Sequence, residues 1–136
     1  MLTSIATKWF PLDKEKANYS FWVFGKECFD TQVSKYLENI LQGNRDLQHK
    51  LLHTLKAIDS NPKMYTHDQK FKLLEKNTFE IKIHQLRIAC IWDPKPQNLV
   101  AIYAFSKKQT AWSKINLEAM RREKGKYFNS KRIKLK

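Results

Sequence analysis

Three β-type runs, residues 79–84, 86–92 and 99–108, follow one another so closely that burying them together requires one small sheet. In the first run, period-two alternation sets Phe79, Ile81 and Ile83 on one face and Glu80, Lys82 and His84 on the other. One face is core and the other is charged. In the third run Val100, Ile102 and Ala104 alternate with Ala101, Tyr103 and Phe105, so both faces are apolar and the strand reads as central. Residues 93–98, rich in Pro and Asn, join the second and third runs as a turn that favours a hairpin.

The upstream half supplies the other layer. Residues 1–18 read as an irregular leader, and residues 19–24 have the aromatic and β-branched content of a strand. From there the period changes to that of a helix. Val33, Tyr36, Leu37, Ile40 and Leu41 recur at amphipathic spacing, with Asp30 or Thr31 to cap the helix and Gly43 to end it. Leu47, Leu51, Leu55 and Ile58 form a second stripe, capped by Asn44 or Asp46 and stopped before Pro62. The short connection makes the two helices an antiparallel hairpin. Residues 62–77 read as a loop with apolar anchors at Phe71, Leu73 and Leu74, and residues 114–125 as a helix capped by Ser113. The lysine-rich stretch from Lys126 reads as a mobile tail. The expectation is an α+β domain over residues 19–128, in which an N-terminal helical hairpin packs on a small, mostly antiparallel sheet. A C-terminal basic helix follows, with residues 129–136 as a basic tail.

Charge narrows the function. The 26 Lys and Arg against 13 Asp and Glu give a net charge of +13. Residues 1–78 carry 12 basic and 9 acidic side chains, whereas residues 79–136 carry 14 and 4. So lopsided a field attracts polyanions, nucleic acid first among them. Tyr103, Trp112, Tyr127 and Phe128 are interleaved with the cations and could stack on bases. No apolar run approaches a membrane span and no secretory pattern opens the chain, so a cytoplasmic protein without membrane contact is expected. Cys28 and Cys90 are too few for a disulfide framework or a zinc finger and read as inert thiols.

Among motifs, there is no Gly-rich phosphate loop, no His-Glu-x-x-His, no Cys-x-x-Cys and no nucleophile elbow. His49 and His53 stand four apart on a helix, but no carboxylate or thiolate accompanies them as a zinc site requires, so they read as a solvated face. Arg87 is the telling residue. It lies among Leu86, Ile88, Ala89, Cys90 and Ile91, where a guanidinium without a groove or a partner is costly. With Lys107 and Lys108 leaving the next strand, a groove lined by Lys82, Arg87 and Lys108 is expected, as is an Arg87 that adds little to stability. Such a groove suits RNA cleavage without metal or other cofactor. The 2′-hydroxyl attacks its own phosphate, Arg and Lys neutralise the transition state, and His84, Glu80 or a lysine takes the proton.

The ordered residues Phe79-Glu-Ile-Lys-Ile, Leu86-Arg-Ile, Ala104-Phe-Ser-Lys-Lys and Ile115-Asn-Leu-Glu-Ala-Met-Arg-Arg, followed by Tyr127, resemble the RelE/ParE toxin superfamily. The phage-protein-like HigB toxins are nearest in cadence, and the likeness covers roughly residues 20–128. It implies a RelE-like fold and a type II toxin that cleaves mRNA, usually on the ribosome, until a cognate antitoxin silences it. That antitoxin would be a helix-turn-helix protein encoded nearby. Carried over, Lys82 matches a strand lysine of the active site, Arg87 its central arginine and Lys108 the basic residue after the last strand. Lys107, Trp112, Lys114, Arg121 and Arg122 would hold RNA. Glu80 stands where some relatives have a second lysine, Ser113 where proline is frequent, and no tyrosine occupies the late catalytic position. This leaves the general acid and base open. Two other readings compete: a ParE-like inhibitor of DNA gyrase, and a basic nucleic-acid-binding domain without catalysis.

Overall fold

The structure is a computed structural model that describes residues 6–8, 20–25, 31–60, 71–93, 98–106 and 112–135. The elements are β1 (Ala6–Lys8), β2 (Ser20–Phe24), α1 (Gln32–Leu41), α2 (Arg45–Ser60), β3 (Phe71–Glu75), β4 (Thr78–Ile83), β5 (Leu86–Asp93), β6 (Asn98–Ser106) and α3 (Lys114–Leu135). Among the described residues this is an α+β arrangement of one mixed sheet with three helices. The strand order is β1-β2-β6-β5-β4-β3, and every neighbouring pair is antiparallel except β2 with β6. β6 is interior to the sheet, as its two apolar faces require. No helix among the described residues is long and apolar enough to cross a membrane.

Capping explains where the first two helices begin. Thr31 Oγ1 donates to the Phe24 carbonyl at 2.6 Å and accepts the Ser34 amide at 3.3 Å, which ties the start of α1 to the end of β2. Gly43, at φ +71°, takes the left-handed conformation that ends α1. Asn44 then accepts the Leu47 amide at 3.1 Å and starts α2. Leu51, Leu55 and Ile58 of α2 join Val33 and Leu37 of α1 and Phe21, Ile81, Ile88, Leu99 and Ile102 of the sheet in one buried core. Each such side chain is worth about 1.5–3 kcal/mol on burial.

α1 also closes a gap in the sheet. β2 pairs with β6 only as far as Ala101, and just beyond, Gln32 donates Nε2–H to Ala104 O at 2.5 Å and accepts Ala104 N–H on Oε1 at 3.0 Å. One side-chain amide thus satisfies both main-chain groups of a strand residue. On the face that carries Tyr103, α3 is held by a Tyr103 hydroxyl bond to Asn116 Oδ1 at 2.7 Å and by edge contact of Tyr127 with Phe24. Glu75 binds Arg121 at 3.1 Å and Lys124 at 3.3 Å.

Four sequence expectations change. The span 1–18 is not wholly irregular, because Ala6–Lys8 pairs with β2; its remaining residues lie outside the described set. Residues 71–75 are strand β3 rather than loop. Consecutive Leu73 and Leu74 hide the alternation, while the outer edge of β4 requires partners and finds them through Phe71↔Ile81, Lys72↔Glu80 and Leu73↔Phe79. The backbone beyond residue 125 stays helical to Leu135 instead of becoming a tail. Met120 and Tyr127 anchor α3 to the sheet, lysine and arginine are good helix formers, and positive charge suits a helix C-terminus. Finally, the first charged strand stops at Ile83, so His84 belongs to a turn.

Candidate functional site

β4 and β5 are joined by the two residues His84 and Gln85, and the register sets Lys82 opposite Arg87 and Arg87 opposite Phe105. Cross-strand partners share a face, so the two cations lie side by side. Arg87 does not line an open groove: it is 3% exposed. Its Nη1 donates to the carbonyls of His84 at 2.5 Å and Leu86 at 3.1 Å, while Nε is buried without a hydrogen bond. The side chain folds back on the turn that precedes it, because those carbonyls are the nearest acceptors. Among the described residues, no carboxylate lies within ion-pair distance of Arg87 or Lys82. The guanidinium is therefore a structural clamp as well as a charge, which corrects the expectation that it adds little to stability.

Glu80 is also removed from the role considered for it. It is 1% exposed, accepts a hydrogen bond from Trp112 Nε1 and lies 3.8 Å from Lys72 Nζ, so it is not open to substrate as a base. The same contact fixes the half-buried Trp112 ring against the sheet. Its ring meets Phe105 edge-on at 4.6 Å and Tyr103 at 6.2 Å between centroids. Tyr103 and Tyr127 are buried and help hold α3 to the sheet, while half-buried Phe128 packs against Tyr127 on the same helix. Burial pushes the Tyr103 phenol and the Cys90 thiol up from their ordinary ranges, which leaves Cys90 inert.

The exposed chemistry gathers at the turn. His84 has φ +53°, a left-handed conformation that costs a non-glycine residue about 1 kcal/mol. Its imidazole Nε2 is 2.8 Å from Lys50 Nζ on α2, and Lys50 is also 2.8 Å from Asp46. The Lys50 hydrogen bond holds the Asp46 carboxyl below the usual carboxylate range. Between α2 and this turn lies a depression of about 510 Å³ lined by His49, Lys50, His53, Thr54, Lys82, Ile83 and His84. The sequence does not reveal the wall from α2. The i, i+4 pair of His49 and His53 is its only trace there, and His84, which completes the group, lies some thirty residues away.

Of the residues expected to act, Lys82, His84 and Arg87 come together. Lys107, Lys108 and Cys28 lie outside the described residues. Lys114 and Arg122 are exposed on α3, whereas Arg121 is engaged with Glu75. Among the described residues, no three His, Cys, Asp or Glu side chains come together as a metal site. No family model, curated protein or solved structure matches the chain.

Proposed function

We propose that this chain is the toxin of a type II toxin-antitoxin pair, a cytoplasmic endoribonuclease of the RelE/ParE kind, nearest to HigB toxins, that cleaves mRNA on the ribosome. The observation that carries this reading is the adjacent pair Lys82 and Arg87, without a counter-carboxylate among the described residues, beside the exposed imidazole of His84. Cations brought together without an anion are stabilised when a phosphate arrives. The proposed chemistry needs no metal, because the nucleophile is the RNA's own 2′-hydroxyl. His84 accepts its proton and Lys82 neutralises a phosphoryl oxygen in the transition state. Arg87 contributes charge from below and fixes the turn that presents His84. Lys108 follows Ser106 by two residues in sequence, and the register partner of Ser106 is Leu86.

Mapping RNA 5′ ends after induction, together with analysis of products from purified protein, tests this reading. The expected products are a 2′,3′-cyclic or 3′-phosphate and a 5′-hydroxyl, with cuts inside translated frames. Lys82→Ala and His84→Ala should each lower the rate by roughly 10²- to 10³-fold. Products bearing a 5′-phosphate would exclude the mechanism. Intact mRNA with DNA damage would instead favour a ParE-like gyrase inhibitor, a reading supported by the burial of Arg87 and Glu80, which leaves fewer reactive groups at the surface. The expected partner is an antitoxin with an acidic segment, whose association with so basic a chain should slow as salt rises.

A further inference from the structure

We propose that the depression between α2 and the β4–β5 turn binds a backbone phosphate of single-stranded RNA, with His49 and His53 of α2 forming its far wall. That the phosphate belongs to RNA rests on the function proposed above; the site itself rests on geometry.

The depression holds about 510 Å³, room for a phosphate with part of its nucleotide. His49, His53 and His84 with Lys50 and Lys82 line it, and the Asp46 carboxylate lies at its edge, 2.8 Å from Lys50 Nζ. Ammonium and imidazole N–H groups around one concavity are donors that a phosphate oxygen can accept from, and hydrogen bonds to a charged acceptor are the stronger kind. The turn that supplies His84 is kept in a strained left-handed conformation and is fastened from beneath by Arg87, whose buried Nε has no partner. A positive φ is what a two-residue hairpin turn calls for, and together with the Arg87 bonds it gives His84 a fixed place beside α2.

The charged groups facing the depression are Asp46, His49, Lys50 and His53 from α2, Lys82 from β4 and His84 from the turn, with Arg87 behind it. Lys50 bridges Asp46 and His84, so an arriving phosphate competes with the Asp46 carboxylate for the ammonium. Imidazole is the side chain that ordinarily changes charge between about pH 5 and 8. Each imidazole that gains a proton becomes a cation with two donors, so phosphate binding should tighten as pH falls.

The test measures binding of a fluorescein-labelled 2′-O-methyl oligoribonucleotide, which the chain cannot cleave through a 2′-hydroxyl, at about pH 6 and about pH 8. The parent should bind more tightly at the lower pH. The His49→Gln/His53→Gln double variant should bind about tenfold more weakly there, and nearly as the parent at the higher pH. Asp46→Asn should bind more tightly than the parent, since it frees Lys50. Lys35→Gln, an exposed lysine of α1, removes charge elsewhere and should leave this pH dependence unchanged. His49 and His53 are exposed, so the double variant should keep the parent's melting temperature.

Equal binding by the double variant and the parent at about pH 6 would overturn the site, as would an equal loss from Lys35→Gln. Cleavage of unmodified RNA separates the two proposals. If the parent cleaves and the double variant binds and cleaves as well, the site falls and the function stands. If the parent does not cleave but the pH-dependent binding vanishes in the double variant, the function falls and the site stands.

Discussion

Glu80 and Lys82 of strand β4 and His84 of the turn after it follow one another at every second position, and their fates differ. Glu80 is sealed beneath Trp112, whereas Lys82 is half-buried and His84, just past the strand, is exposed and strained. Alternation along the strand places Glu80 and Lys82 on the same face, yet only the region crossed by Trp112 and α3 becomes interior. The sealed region is polar chemistry used for structure, with donor and acceptor brought together away from water. At the open end Lys82 and Arg87 have no carboxylate within ion-pair distance among the described residues. What separates the two is the cover, and the cover comes from thirty residues downstream.

The largest expected effect comes from removing that cover. Trp112→Ala deletes the ring packed on Tyr103 and Phe105 and strands the Glu80 carboxylate, so it should cost about 3–5 kcal/mol of stability in urea unfolding. A loss under about 1 kcal/mol would mean that the seal is not a structural unit. Next is Arg87→Met, which keeps the volume and removes the clamp on the His84 and Leu86 carbonyls. Unfolding should show a loss of about 1–3 kcal/mol, accompanied by loss of growth arrest. If stability holds while activity disappears, Arg87 acts as a charge alone.

His84→Gly sharpens the contrast from the other side. It relieves the positive φ at an exposed turn, so stability should stay level or rise by up to about 1 kcal/mol, while cleavage and oligonucleotide binding fall. A protein weakened in both respects would make His84 a structural residue. The smallest effect belongs to Asp46. Its folded pKa lies below the ordinary 3.8, so its contribution is present above that value and is lost as pH falls through the folded pKa. Asp46→Asn should remove that small acid-limb component from a stability profile, and high salt should mask the difference.

Much of this fold is legible in the chain. The caps at Thr31 and Asn44, the stop at Gly43 and the three charged or apolar runs are local signals, and local signals survive without tertiary context. β3 is not local: it is a strand because the edge of β4 needs partners, and its own five residues barely alternate. The length of α3 is set by anchors at Met120 and Tyr127 rather than by any stop signal. At the site, Lys82, His84 and Arg87 are legible as a group because they lie within six residues. The burial of Arg87 and Glu80 is not, because alternation states which side a residue takes and nothing about what lies on that side. The imidazoles of α2 are invisible for the same reason, since their meeting with His84 depends on how a helix lies against a turn.

The Gln32 amide has a bearing on how this molecule behaves at high concentration. Where β2 leaves off, Ala104 of β6 would present its main-chain N–H and C=O at the side of the strand, groups on which a second chain can build. A single side chain occupies the hydrogen-bonding position that an invading strand would need. Among the described residues, Gln32 thus guards the Ala104 position against self-association, and a neutral, conservative-looking exchange there would alter colloidal behaviour without touching the cationic end of the sheet.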